Sequence, residues 1–210
     1  MRPLPISLAS LIAVFGSALA LPAAHAQNIV KEWPSITAPP PPELKPVTVD
    51  PKTTALLMLD FMNQNCGQRP RCVASLPGVQ KLLAEARKSG ATVVYSLIAN
   101  TTTADIRSEV AANQNEPWVR AGPDKFMGTD LEKILKDKGV ETVIVTGTAA
   151  HGAVLYTASA AALRGMRVVV PVDAMSSEPA YPEQYTAWHL ANAPGVGPRT
   201  TLTEIGMIKF

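Results

Sequence analysis

Residues 141–174 constrain the fold more than any other stretch: ETVIVTG, then TAAHGAVLYTASAAALRG, then MRVVVPVDA. Residues 142–145 form a short apolar, mostly β-branched run, the pattern of a strand, and Gly147 marks a turn. From 151 to 163 small and apolar residues recur too continuously for a half-exposed helix, so this helix should be buried along most of its length. Gly165 stands where a helix C-terminal glycine belongs, and 168–172 read as a second buried strand. Two apolar strands joined by a helix make a right-handed βαβ unit in a parallel sheet. Ligands bind such sheets beyond the carboxyl ends of the strands. The turn at 146–152 is therefore where chemistry is expected, and its backbone N–H groups, at a helix start, can hold an anion or a developing oxyanion.

The remaining chain repeats the alternation. Residues 53–59 (TTALLML) read as the first core strand, ending at Asp60. A loop at 61–74 follows, with Asn63, Gln64, Cys66 and Cys72. Residues 75–89 have helical spacing, with Ser75 as cap and Gly90 as stop, and 92–98 (TVVYSLI) are the second strand. The polar stretch 100–120 is expected to be a loop with a short helix at 104–111. Residues 129–138 are an amphipathic helix with a Thr129–Glu132 capping box and Gly139 at its end. A helix at 182–192, carrying Trp188 and His189, and an edge strand within 200–210 complete the domain. The fold class is α/β: a three-layer, doubly wound, mainly parallel sheet with helices on both faces, over residues 53–210.

Residues 1–26 read as a cleaved signal peptide: Arg2, an apolar run, then Ala24-His25-Ala26. Residues 27–52 form a proline-rich extended arm, a spacer or a wrap for a neighbouring subunit. The chain is thus expected in a periplasm or outside the cell, with no membrane partner after signal removal, and as a homo-oligomer. Export governs the two cysteines, Cys66 and Cys72: they can close a small disulfide loop or remain free thiols. The net charge of +2 and 5% aromatic content argue against nucleic acid. No cofactor is expected, and the spacing of His and Cys fits no zinc site.

Four side chains could carry chemistry. Asp60 ends a buried strand, where a carboxylate is costly unless paired or used as an acid or base. Arg120 and Lys125 flank Ala121-Gly122-Pro123-Asp124, and either cation could pair with Asp60 and hold an anionic substrate. His151 sits in the turn at the helix start and could orient substrate or water.

Three segments in order resemble the isochorismatase-like hydrolases, also called the cysteine hydrolase family: Leu56 to Asp60, Lys125 to Leu131, and 143–173 with Thr146-Gly147 and Val170-Pro171-Val172-Asp173. The resemblance implies the same doubly wound sheet and a catalytic Asp, Lys and Cys. The aspartate falls on Asp60. Counted back from Phe126, the lysine position is Arg120, with Lys125 adjacent but out of register. Counted on from Gly147, the cysteine position is Ala153. The resemblance also implies a cis Thr148–Ala149 bond, and substrate contacts at Phe126, Ala149, Ala150 and Gly152. Isochorismatases proper also lack the cysteine and carry an Ala-His pair, as at Ala150-His151. Their aspartate protonates an enol ether, which needs an acid and water but no nucleophile. The family glutamine two residues after the aspartate is Met62 here. An exported chain would not meet isochorismate itself, a cytoplasmic metabolite. The expected function is hydrolysis of a small anionic or carbonyl-containing molecule with Asp60 as acid/base. A binding protein that has lost its chemistry, and a thiol enzyme using Cys66 or Cys72, are the alternatives.

Overall fold

The computed structural model describes residues 28–210, so the expected signal segment lies outside the described residues. The chain divides after residue 38. In the first unit, one helical turn, α1 (Ile29–Glu32), runs into a 3-10 turn at Trp33–Ser35. The Asn28 side chain caps α1 by accepting the Lys31 N–H. Residues 28–35 of the arm thus form a capped helical turn and a 3-10 turn, where extended chain was expected.

Within residues 39–210, the main sheet has seven strands: β2 (Thr54–Leu59), β3 (Thr92–Leu97), β4 (Trp118–Arg120), β5 (Thr142–Thr148), β6 (Arg167–Pro171), β7 (Met175–Ser176) and β8 (Thr200–Thr203). Their order is β4-β3-β2-β5-β6-β8, and every pairing is parallel. Strand β6 leaves β5 after Val169, and β7 takes its place beside Gly147 and Thr148. A separate two-stranded ribbon joins β1 (Val47–Thr48) to β9 (Ile208–Lys209). The expected last strand is thus two strands in two sheets.

Burial on both faces makes the central strands read as unbroken apolar runs: β2 and β5 are buried at every residue. Alternate residues face opposite layers. Ala55, Leu57, Leu59, Val143 and Val145 pack with α3 (Leu131–Asp137), α4 (Leu155–Leu163) and α5 (Tyr181–Asn192). Leu56, Met58, Ile144, Val93, Tyr95 and Leu97 pack with α2 (Pro70–Ser89). The alanine-rich α4 buries six of its residues, which explains the near-continuous small and apolar pattern of its sequence.

Several local expectations shift. Helix α2 starts at Pro70, not at residue 75, because proline suits the first helical turn. Ser75 bonds back to the Cys72 carbonyl instead of capping. Gly90 ends α2 at φ 83, as its position implied. The helix expected at 104–111 is two 3-10 turns, Thr103–Asp105 and Ser108–Val110. Helix α3 begins at Leu131 with no capping box; the Thr129 hydroxyl accepts the Leu131 N–H instead. The helix expected from 151 opens as a π turn, Ala150–Val154, before α4.

From β2 the chain moves to β3 on one side, and from β5 to β6 on the other. Strands β2 and β5 are neighbours, so a crevice opens between them at their carboxyl ends, the topological switch point. Leu59 lies opposite Gly147 there. Gly147 has φ +136, and a Cβ on it would stand 2.2 Å from the Leu59 carbonyl oxygen. Only glycine allows the two strands to approach this closely.

Candidate active site

Asp60 follows Leu59 directly into the crevice. Its φ of 56 is in the left-handed region, which turns the chain sharply out of β2. Ser96, opposite Leu59 on β3, holds that turn. The Asp60 N–H donates to Ser96 Oγ (3.1 Å), and the Ser96 hydroxyl donates to Asp60 Oδ1 (2.6 Å). The other carboxylate oxygen, Oδ2, accepts from Lys125 Nζ at 2.7 Å.

Lys125 is fully buried and Asp60 6% exposed, so this ion pair belongs to the interior. The loop before α3 is folded to deliver it. The Lys125 N–H donates to Thr157 Oγ1 on α4, whose hydroxyl donates in turn to the Pro123 carbonyl. The Thr129 hydroxyl donates to the Lys125 carbonyl, and Nζ also donates to the Gly122 carbonyl (2.8 Å). The family register pointed to Arg120 as the partner of Asp60; the structure corrects this to Lys125. Arg120 is exposed, donates to the Thr101 carbonyl (2.5 Å) and lies over the Trp118 ring, 5.2 Å from its centroid. A loop of this kind is fixed by its hydrogen bonds and not by its residue count, so counting positions from Phe126 misplaced the cation.

Above the pair is an open cleft of about 410 Å³. Asp60, Arg120, Ala149, Gly152 and Ala153, all named as candidates from the sequence, line it. Four other expected residues do not, Lys125 among them, which is buried against Asp60. Phe126 is buried in the core beneath the Arg164 guanidinium, 4.5 Å from its ring centroid. Ala150 is buried, with its N–H on Ser177 Oγ (3.0 Å). His151 is exposed, and its Nδ1 lies 3.0 Å from the same Ser177 oxygen, which ties the ring to the β7 side. The Thr148–Ala149 bond is cis. The Ala149 carbonyl accepts the Gly152 N–H at 2.9 Å, which folds the turn back on itself.

Sequence reasoning missed Ser96, Asn65 and Arg69. Ser96 had a signal: it is the one hydroxyl among the apolar residues following Tyr95 in the strand beside β2. Asn65 and Arg69 had none, because they reach the cleft through the fold of the cysteine loop. Cys66 and Cys72 are bonded to each other, with Cα atoms 5.2 Å apart, and both are completely buried. They are the only cysteines in the chain, so no free thiol remains. From this closed turn Arg69 reaches Thr148 Oγ1 (3.1 Å). The Thr148 hydroxyl donates onward to the Ser176 carbonyl. Outside the cleft, Gln64 donates to Asp105 Oδ1 (2.6 Å). The Thr102 N–H, then Gln64 and the Thr102 hydroxyl, hold the Asp105 carboxyl below its ordinary range. Among the described residues no three His, Cys, Asp or Glu side chains converge as a metal site would require.

A family model, the isochorismatase domain, matches residues 54–203. The chain belongs to the isochorismatase family. Solved structures share its fold at low identity. A cysteine hydrolase from Pseudomonas syringae pv. phaseolicola is 18% identical, with TM-score 0.67, over 79% of this chain and 94% of that one. N-carbamoylsarcosine amidase from Thermoplasma acidophilum is 21% identical, with TM-score 0.62, over 73% and 96%. A nicotinamidase/pyrazinamidase from Bacillus subtilis is 17% identical, with TM-score 0.65, over 72% and 100%. No curated protein matches the chain. This isochorismatase-family protein has an aspartate–lysine pair at the switch point, and Ala153 lines the cleft.

Proposed function

We propose that this protein is an exported hydrolase of a small anionic or carbonyl-containing molecule, working by proton transfer at Asp60 and attack by water without a thiol. One observation carries the reading: a buried Asp60–Lys125 pair opens on a cleft in a chain with no free thiol. Hydrolysis then needs water as the nucleophile and a side chain that gives or takes its proton. Asp60 faces the cleft and meets that need. Lys125 suits the role beside it better than an arginine would, because an ammonium can pass a proton and a guanidinium cannot near neutral pH. The backbone at Ala149 and Ala153 lines the same cleft and supports an oxyanion position. The expected leader and the disulfide both support export, since such bridges persist in oxidising compartments.

The test is a hydrolysis screen of the purified protein against amides, esters, enol ethers and aromatic acid derivatives, before and after iodoacetamide without reductant. Neither Cys66 nor Cys72 should be labelled, and turnover should be unchanged. Inactivation on labelling would assign the chemistry to a thiol and end this proposal. Binding without turnover in any class would favour the second reading, a binding protein, for which the bare methyl of Ala153 in the cleft is the supporting observation.

A further inference from the structure

The cleft is charge-imbalanced. Asp60 is the one acidic side chain lining it, and Lys125 already neutralises Asp60. Two guanidinium groups, Arg69 and Arg120, line the same cleft. Among the described residues neither makes an ion pair. They stand on opposite sides of Asp60. Arg120 is bonded to the loop after β3, and Arg69 to Thr148 at the end of β5. Arg120 ends an edge strand and is exposed, whereas Arg69 is half-buried and fixed at both backbone ends. The Arg69 N–H donates to the Cys66 carbonyl (3.0 Å), and its carbonyl accepts the Val73 N–H (3.0 Å). The Cys66–Cys72 bridge spans this turn with Arg69 inside it. A guanidinium that gives one N–H to a neutral hydroxyl retains further donors in a fixed fork, a geometry matched to a carboxylate.

We propose that Arg69 binds a carboxylate of the substrate on the β5 side of Asp60, and that the Cys66–Cys72 bridge is the device that positions it. This deepens the hydrolase reading and rests on it for the word substrate; the binding itself does not require turnover. Arg69 is a specificity-determining residue in this account, and the two cysteines are positioning residues. The class selected is a small molecule bearing a planar carboxylate next to the bond that meets Asp60.

The probes are benzoate and its neutral isostere benzamide, titrated into the intact oxidised protein by calorimetry or amide chemical shift. Benzoate should bind about tenfold or more tightly than benzamide, the scale of one charge-assisted fork. Arg69→Gln should abolish that preference, and Arg69→Lys should restore part of it. Cys66→Ser/Cys72→Ser should reduce the preference in the same direction, and thermal melting of each variant checks that it is folded. If the oxidised protein binds benzoate no better than benzamide, or Arg69→Gln keeps the preference, the proposal is overturned. If Arg120→Gln alone removes the preference, the anion site is Arg120 and the proposal is equally overturned. Because the readout is binding, a protein that hydrolyses nothing can still pass this test, and an active one can still fail it.

Discussion

Replacing Asp60 by asparagine is expected to lower turnover about a hundredfold or more, the size of a lost general acid or base, with KM little changed. The substitution is chosen because the fold should survive it. An asparagine carbonyl can accept from Lys125, and the Ser96 hydroxyl can turn to accept from the amide nitrogen. The shape of the site at the end of β2 is thus kept, while the group that can exchange a proton is removed. With a substrate from the screen in hand, steady-state kinetics decide the matter. An Asp60→Asn enzyme with unchanged kcat would rule out the mechanism.

Lys125→Met should cost the fold about 3–5 kcal/mol at neutral pH, because it removes one partner of a buried ion pair and strands the other. Methionine matches much of the lysine stem, so the loss is electrostatic and not a cavity effect. Asp60 would keep only the Ser96 hydroxyl as a side-chain donor. Adding Asp60→Asn to Lys125→Met removes the stranded charge and should recover a large part of the loss. Chemical denaturation of the two single variants and the double variant measures the coupling. A double variant no more stable than Lys125→Met would mean that the pair is not what holds this corner of the fold.

Most of the fold could be read in the sequence because its signals are dense. Strands β2 and β5 lie at the centre of a parallel sheet and must be apolar on both faces, so TALLML and TVIV announce themselves. Gly90, Gly139 and Gly165 all adopt positive φ where helices end, as their positions implied. The site was less legible. Asp60 could be found because an acid after a buried strand is conspicuous. Lys125 was visible as a candidate but was ranked behind Arg120, since nothing in the letters records that Thr157 and Thr129 hold its loop inward. Arg69 could not be found at all. Its place in the cleft depends on a turn closed by two cysteines and on Thr148, 79 residues further along the chain. Contacts of that range leave no periodic trace. His151 and Phe126 erred in the opposite direction: His151 precedes Gly152, which lines the cleft, and Phe126 follows Lys125, which pairs with Asp60, yet neither side chain lines the cleft.

Strand β8 is one of the two outer strands of the sheet, and an outer strand is where a second molecule can add its own and begin a polymer. Pro39, Pro40 and Pro42 share a surface groove with Thr200, Thr201 and Leu202, and the Lys45 N–H has already taken the Leu202 carbonyl. A proline ring carries no N–H with which to extend a ladder. The segment from Pro39 to Lys45 therefore acts as a chain terminator for sheet growth at this edge.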